Sequence, residues 1–217
     1  MKKAIIFDMD GLMIDSERLY FQVEREIVEK FDKTFREEVL WKMMGRKPIE
    51  SIKLFVEEFD LPAAPEEMLN MRNNMMREKL QNDLLPMPGL ESIIDTFYGK
   101  MKLAVATGAQ QEFLDIAVDR LGLRDKFDVL LSSDLIEKGK PDPEMYLTAC
   151  GKLNLDPGLC VVLEDSSNGA RAGKRAGCYV IAVPSEYTKE QDFSFVDFSA
   201  RDLFQAEEHI RAQQFFF

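Results

Sequence analysis

Five short apolar runs set the strongest limit on how this chain folds: Ala4–Phe7, Lys102–Ala106, Val129–Leu131, Cys160–Leu163 and Tyr179–Val183. Each is close to continuously apolar rather than alternating, which is the pattern of a parallel strand covered on both faces. Helical spacing fills the gaps between them. Phe113, Ala117 and Leu121 fall at four-residue steps, and Gly122 follows as a stop. Strand alternating with helix predicts an α/β fold, a Rossmann-like parallel sheet flanked by helices, with functional groups at the carboxyl ends of the strands.

One segment departs from that rhythm. Residues 16–82 carry no strand-like run, only amphipathic helices: Leu19, Val23 and Ile27 share one face, and Ile49, Ile52, Val56 and Phe59 another. Pro48 suits a first helical turn, and Met68, Met71, Met75 and Met76 read as core filler. Pro86, Pro88 and Gly89 then form a stiff joint back to the sheet. The expected division is an α/β core of residues 1–15 and 83–217, with residues 16–82 as an all-helical cap inserted after the first strand, where a lid would sit.

Polar clusters fall at the strand ends: Asp8 and Asp10 after the first, Thr107 after the second, Lys140 in GKPDPEMY, and Glu164-Asp165 after the fourth. Gathered at one edge, Asp8, Glu164 and Asp165 could not all stay ionised without a cation. Oxygen-only ligands select a hard one, so Mg²⁺ is the expected cofactor. Thr107 and Lys140 offer a hydroxyl and a positive charge to phosphoryl oxygens. Taken singly, each cluster has a plainer explanation as a turn, a helix cap or a solvated loop lysine. Their order, each behind an apolar run, argues for chemistry.

The motifs FDMDG, ATG, KGKPDPEMY and LEDSSNG resemble, in order, the four motifs of the haloacid dehalogenase-like hydrolases. The resemblance covers nearly the whole chain and is nearest to the β-phosphoglucomutase-like branch, which includes pseudouridine-5'-phosphatase. It implies an Mg²⁺-dependent phosphatase of a small phosphorylated metabolite, a sugar phosphate or nucleoside monophosphate. Asp8 would be the nucleophile that forms an aspartyl-phosphate, and Asp10 the general acid and base. Thr107, Gly108 and Lys140 would bind phosphate. Asp8, Asp165, Glu164 and the carbonyl of Asp10 would hold the metal, while Arg46, Lys47 and Arg72 of the cap would meet the leaving group. A β-phosphoglucomutase-type mutase is the alternative, disfavoured because Tyr20 stands where that enzyme has histidine and the sole histidine is His209. A more remote one is a receiver-like signalling domain phosphorylated on aspartate.

Composition narrows the partners. The net charge of -11 leaves no basic surplus for nucleic acid or an anionic membrane. No stretch is long and apolar enough to span a bilayer, and no signal-peptide pattern opens the chain. Cys150, Cys160 and Cys178 are expected to be buried thiols, which fits a cytoplasmic protein. A monomer or weak homo-oligomer is expected.

Overall fold

The structure is a computed structural model that describes residues 2–43 and 48–213, apart from the Trp41 side chain. Arg46, Lys47 and the terminal phenylalanines lie outside the described residues. The chain divides into two compact units, Met1–Asp15 with Leu85–Phe217, and Ser16–Leu84.

The second unit is helical: α1 (Ser16–Lys30), α2 (Glu37–Met43), α3 (Pro48–Phe59) and α4 (Pro65–Asp83). Leu19, Val23 and Ile27 of α1 are buried, as are Ile52, Phe55 and Phe59 of α3. Met68 and Met76 of α4 are buried too, while Met71 and Met75 are half-buried. The stripes thus place mostly apolar side chains inward, with Glu24 of α1 and Arg72 of α4 buried among them.

The first unit holds a parallel sheet of β1 (Ala4–Phe7), β2 (Lys102–Ala106), β3 (Val129–Leu131), β4 (Cys160–Glu164), β5 (Tyr179–Ala182) and β6 (Phe198–Ser199), in the order β3-β2-β1-β4-β5-β6. Its helices are α5 (Leu90–Phe97), α6 (Gln111–Arg120), α7 (Glu144–Leu153), α8 (Ser167–Ala176) and α9 (Leu203–Ala212). All four residues of β1 are fully buried, which explains their unbroken apolar character. Two details correct the sequence reading. β4 continues one residue past its apolar run, so Glu164 is the last strand residue and Asp165 the first beyond it. β6 is an edge strand that no apolar run announces, and it pairs with β5 through Ile181↔Phe198 and Ala182↔Ser199.

The connections leave β1 toward β2 on one side, while β4 leads to β5 on the other. The gap beyond the carboxyl ends of β1 and β4 is therefore the topological switch point, where ligands of open α/β sheets bind. Register brings the right residues to it, because Phe7 pairs with Leu163 and Val105, so Asp8 follows beside Glu164.

α8 packs closely on the sheet for a steric reason. A Cβ on Gly173 would meet Val180 Cγ2 at 2.9 Å and Val162 Cγ1 at 3.2 Å. Ser166 caps the helix by accepting from Gly169 N at 3.2 Å, a contact worth about 1 kcal/mol. Gly177 ends the helix in the left-handed conformation at φ 89°.

Candidate active site

Asp8 leaves β1 with its N–H still donating to Leu163 O at 3.0 Å. The chain then turns at once. Leu12, Met13 and Ile14 N–H groups all donate to the Met9 carbonyl, and Gly11 takes φ 72°, a value that side chains disfavour. That is why glycine follows the second acid. Ile14 bridges to Pro86, and Met87 N donates to Met13 O at 2.9 Å, fixing the far end of this loop. At the end of β2, the Thr107 hydroxyl donates to Asp10 Oδ2 at 3.2 Å and accepts from Ala109 N at 3.0 Å. Thr107 thus ties the two loops together.

Lys140 arrives from a loop held by its own acids. Glu144 accepts from the N–H groups of Glu137 (2.8 Å) and Lys138 (3.0 Å), Asp142 accepts from Glu144 N (3.1 Å), and Arg175 donates to Pro141 O (2.9 Å). So anchored, Lys140 Nζ donates to Asp8 Oδ1 at 2.5 Å and to Glu164 Oε1 at 2.6 Å. Glu164 is itself fully buried, and its carboxylate takes further donors. Tyr146 Oη donates to Oε1 at 2.8 Å, and Ser166 donates to Oε2 through N (3.1 Å) and Oγ (2.9 Å). Asp165 is buried beside Thr188, whose hydroxyl lies 3.5 Å from Asp165 Oδ2.

Burial pushes the Asp8 carboxyl up to about 8; Lys140 opposes this, while Glu164 and Asp10 push further upward. Burial draws Lys140 downward, but Asp8 and Glu164 outweigh it and hold the ammonium well above its usual value. The ammonium keeps its proton because it faces two buried carboxylates, Asp8 and Glu164. One oxygen from each of Asp8, Glu164 and Asp165 lies within 4.8 Å of the others, and among the described residues this is the one such group of three potential ligands. Buried, oxygen-only and short of positive charge, the trio fits a hard divalent cation.

Asp8, Asp10, Thr107, Lys140, Glu164 and Asp165 are therefore linked in one place, by hydrogen bonds or by the carboxylate trio. Gly108 follows Thr107 with open space where a Cβ would be. Arg72 is the one of the three expected leaving-group contacts that falls among the described residues. It is buried in the helical unit, 3.8 Å from Glu24 Oε1 and with its guanidinium over the Tyr20 ring. The sequence alone does not single out Tyr146, Thr188 or the approach of Gly169 to the Glu164 carboxylate. Tyr146 does stand in the KPDPEMY motif, six residues after Lys140, so that spacing was an available signal.

A family model for haloacid dehalogenase-like hydrolases matches residues 5–183. The chain is 34% identical over 176 residues to a phosphorylated carbohydrates phosphatase of Thermotoga maritima, covering 81% of this chain and 82% of that protein. It is 33% identical over 196 residues to a Drosophila melanogaster protein named "Probable pseudouridine-5'-phosphatase", covering 87% and 84%. The crystal structure of CbbY from Rhodobacter sphaeroides in complex with phosphate matches with a TM-score of 0.83 and 25% identity, over 94% of this chain and 95% of that one. The chain belongs to the haloacid dehalogenase-like hydrolase family and is an enzyme of its phosphoric monoester hydrolase kind.

Proposed function

We propose that this enzyme is an Mg²⁺-dependent phosphatase of a small phosphorylated metabolite, a sugar phosphate or nucleoside monophosphate, working through a phosphorylated Asp8. The observation that carries the proposal is the buried trio of Asp8, Glu164 and Asp165 with Lys140 Nζ bridging the first two. The names of relatives support the substrate class: phosphorylated carbohydrates for one and pseudouridine 5'-phosphate for another.

Asp8 Oδ attacks phosphorus as the bond to the leaving oxygen breaks. Asp10, oriented by the Thr107 hydroxyl, gives that oxygen its proton. Asp10 then takes a proton from water as the water attacks the acyl phosphate, and the bond to Asp8 breaks to restore its carboxylate. Lys140 and Thr107 hold the phosphoryl oxygens, with the backbone at Gly108 beside them. Asp8, Glu164, Asp165 and the Asp10 carbonyl would hold the Mg²⁺, which when bound neutralises the carboxylates and polarises the phosphoryl group. Arg46 and Lys47 are the candidate contacts for the leaving group. Arg72, paired with Glu24, is better suited to supporting the helical unit from within.

A screen of sugar phosphates, nucleoside monophosphates and pseudouridine 5'-phosphate for release of inorganic phosphate with Mg²⁺ tests this reading. Asp8→Asn should lower the best rate on the order of 10⁴-fold or more while leaving the circular dichroism unchanged. Undiminished turnover in that variant would remove Asp8 from the mechanism. A rearranged sugar phosphate in place of free phosphate would point to a mutase.

A further inference from the structure

We infer that Tyr146 is a positioning residue of this site: its hydroxyl fixes the Glu164 carboxylate in the rotamer that serves both the divalent cation and Lys140. The inference rests on the phosphatase reading above and adds a residue that the reading does not use. Tyr146 belongs to α7 and is fully buried, among the largest enclosed side chains of the molecule. A phenylalanine would fill the same volume and offer Lys140 the same ring face, which lies 5.1 Å from Nζ. What distinguishes tyrosine is the hydroxyl, a group that destabilises a core unless it finds a partner. Here its partner is Glu164 Oε1, at 2.8 Å.

That oxygen is shared. Lys140 Nζ meets it at 2.6 Å while also meeting Asp8, and the same lysine is assigned to the phosphoryl group. A lysine serving several partners is a variable donor to Glu164. The phenol, locked in the core of α7 and the sheet, is a constant one. Ser166 grips the opposite oxygen, and Gly169 leaves the space that the carboxylate fills. Hydrogen bonds of this kind to a metal-ligating carboxylate set its orientation, and losing one costs about 10- to 100-fold in metal affinity.

The test is calorimetric titration of Mg²⁺ into the full chain and into Tyr146→Phe, both free of phosphate. The variant should fold normally and bind Mg²⁺ about 10-fold more weakly. The Mg²⁺ concentration giving half-maximal turnover of p-nitrophenyl phosphate should rise by the same factor. Equal Mg²⁺ affinity in the two proteins overturns the inference while leaving the phosphatase reading intact. A variant that no longer folds also overturns it, because the hydroxyl would then be structural. If the unaltered chain takes up no Mg²⁺, the phosphatase reading itself fails.

Discussion

A side chain at Gly169 has nowhere to go: an added Cβ would stand 1.6 Å from Glu164 Oε1 and 2.0 Å from its Cδ. Far ends of side chains often yield at small cost, but this carboxylate is fully buried and held by donors at both oxygens. Gly169→Ala therefore sets two effects against each other. Alanine favours α8 by about 1 kcal/mol, yet it displaces the carboxylate that meets Lys140 and that the proposed cation would use. Misplacement by about 1 Å costs roughly 10²-fold in rate. Phosphatase assays should show a loss of that order with only a modest change in melting temperature; full activity would mean Glu164 can relocate freely. Residues at this scale were unequally legible. Asp8, Asp10, Lys140 and Asp165 announce themselves because carboxylates and a lysine behind apolar runs are chemically conspicuous. Gly169 and Tyr146 act through shape and a single hydrogen bond across the fold, which spacing along the chain does not encode.

Between elements, the pair that joins α1 to α4 has a pH dependence of its own. Glu24 is buried, and burial pushes its carboxyl up to about 7, with Arg72 pulling the other way. Arg72 Nε has no hydrogen-bond partner among the described residues, so within them the pair is incompletely compensated. An acid raised on folding binds a proton in the native state that the unfolded chain releases near its ordinary value. Stability contributed by Glu24 is therefore greatest below about pH 4.5 and falls as pH rises toward 7, by at most about 3 kcal/mol. Glu24→Gln should flatten that fall, seen as a melting-temperature difference from the unaltered chain that grows in the variant's favour from pH 5 to pH 8. A constant difference across that range would mean Glu24 does not take up the proton. The same pair shows where element-level reading stopped. The apolar stripes of α1, α3 and α4 predict helices and their inner faces, but polar residues such as Glu24 and Arg72 look solvated in a periodic pattern. β6 escaped for the opposite reason: two residues, one of them serine, make no periodicity at all.

For the whole molecule, the parallel sheet and its inserted helical segment were legible because β1, β2, β4 and β5 are covered on both faces and nearly every residue in them must be apolar. That topology carries carboxylates from opposite ends of the chain to one switch point, where like charges oppose folding. A cation that binds only the folded arrangement must then stabilise it, by about 2.7 kcal/mol at a hundred times its dissociation constant. Mg²⁺ should raise the melting temperature, and EDTA should reverse the rise. The net charge of -11 complicates the measurement, since any salt screens general repulsion. Two comparisons separate the effects. NaCl at matched ionic strength should give a smaller shift, and Asp165→Asn, which withdraws one carboxylate from the trio, should abolish most of the Mg²⁺-specific part. An equal Mg²⁺ response in Asp165→Asn would assign the stabilisation to surface screening and leave the buried carboxylates without their cation.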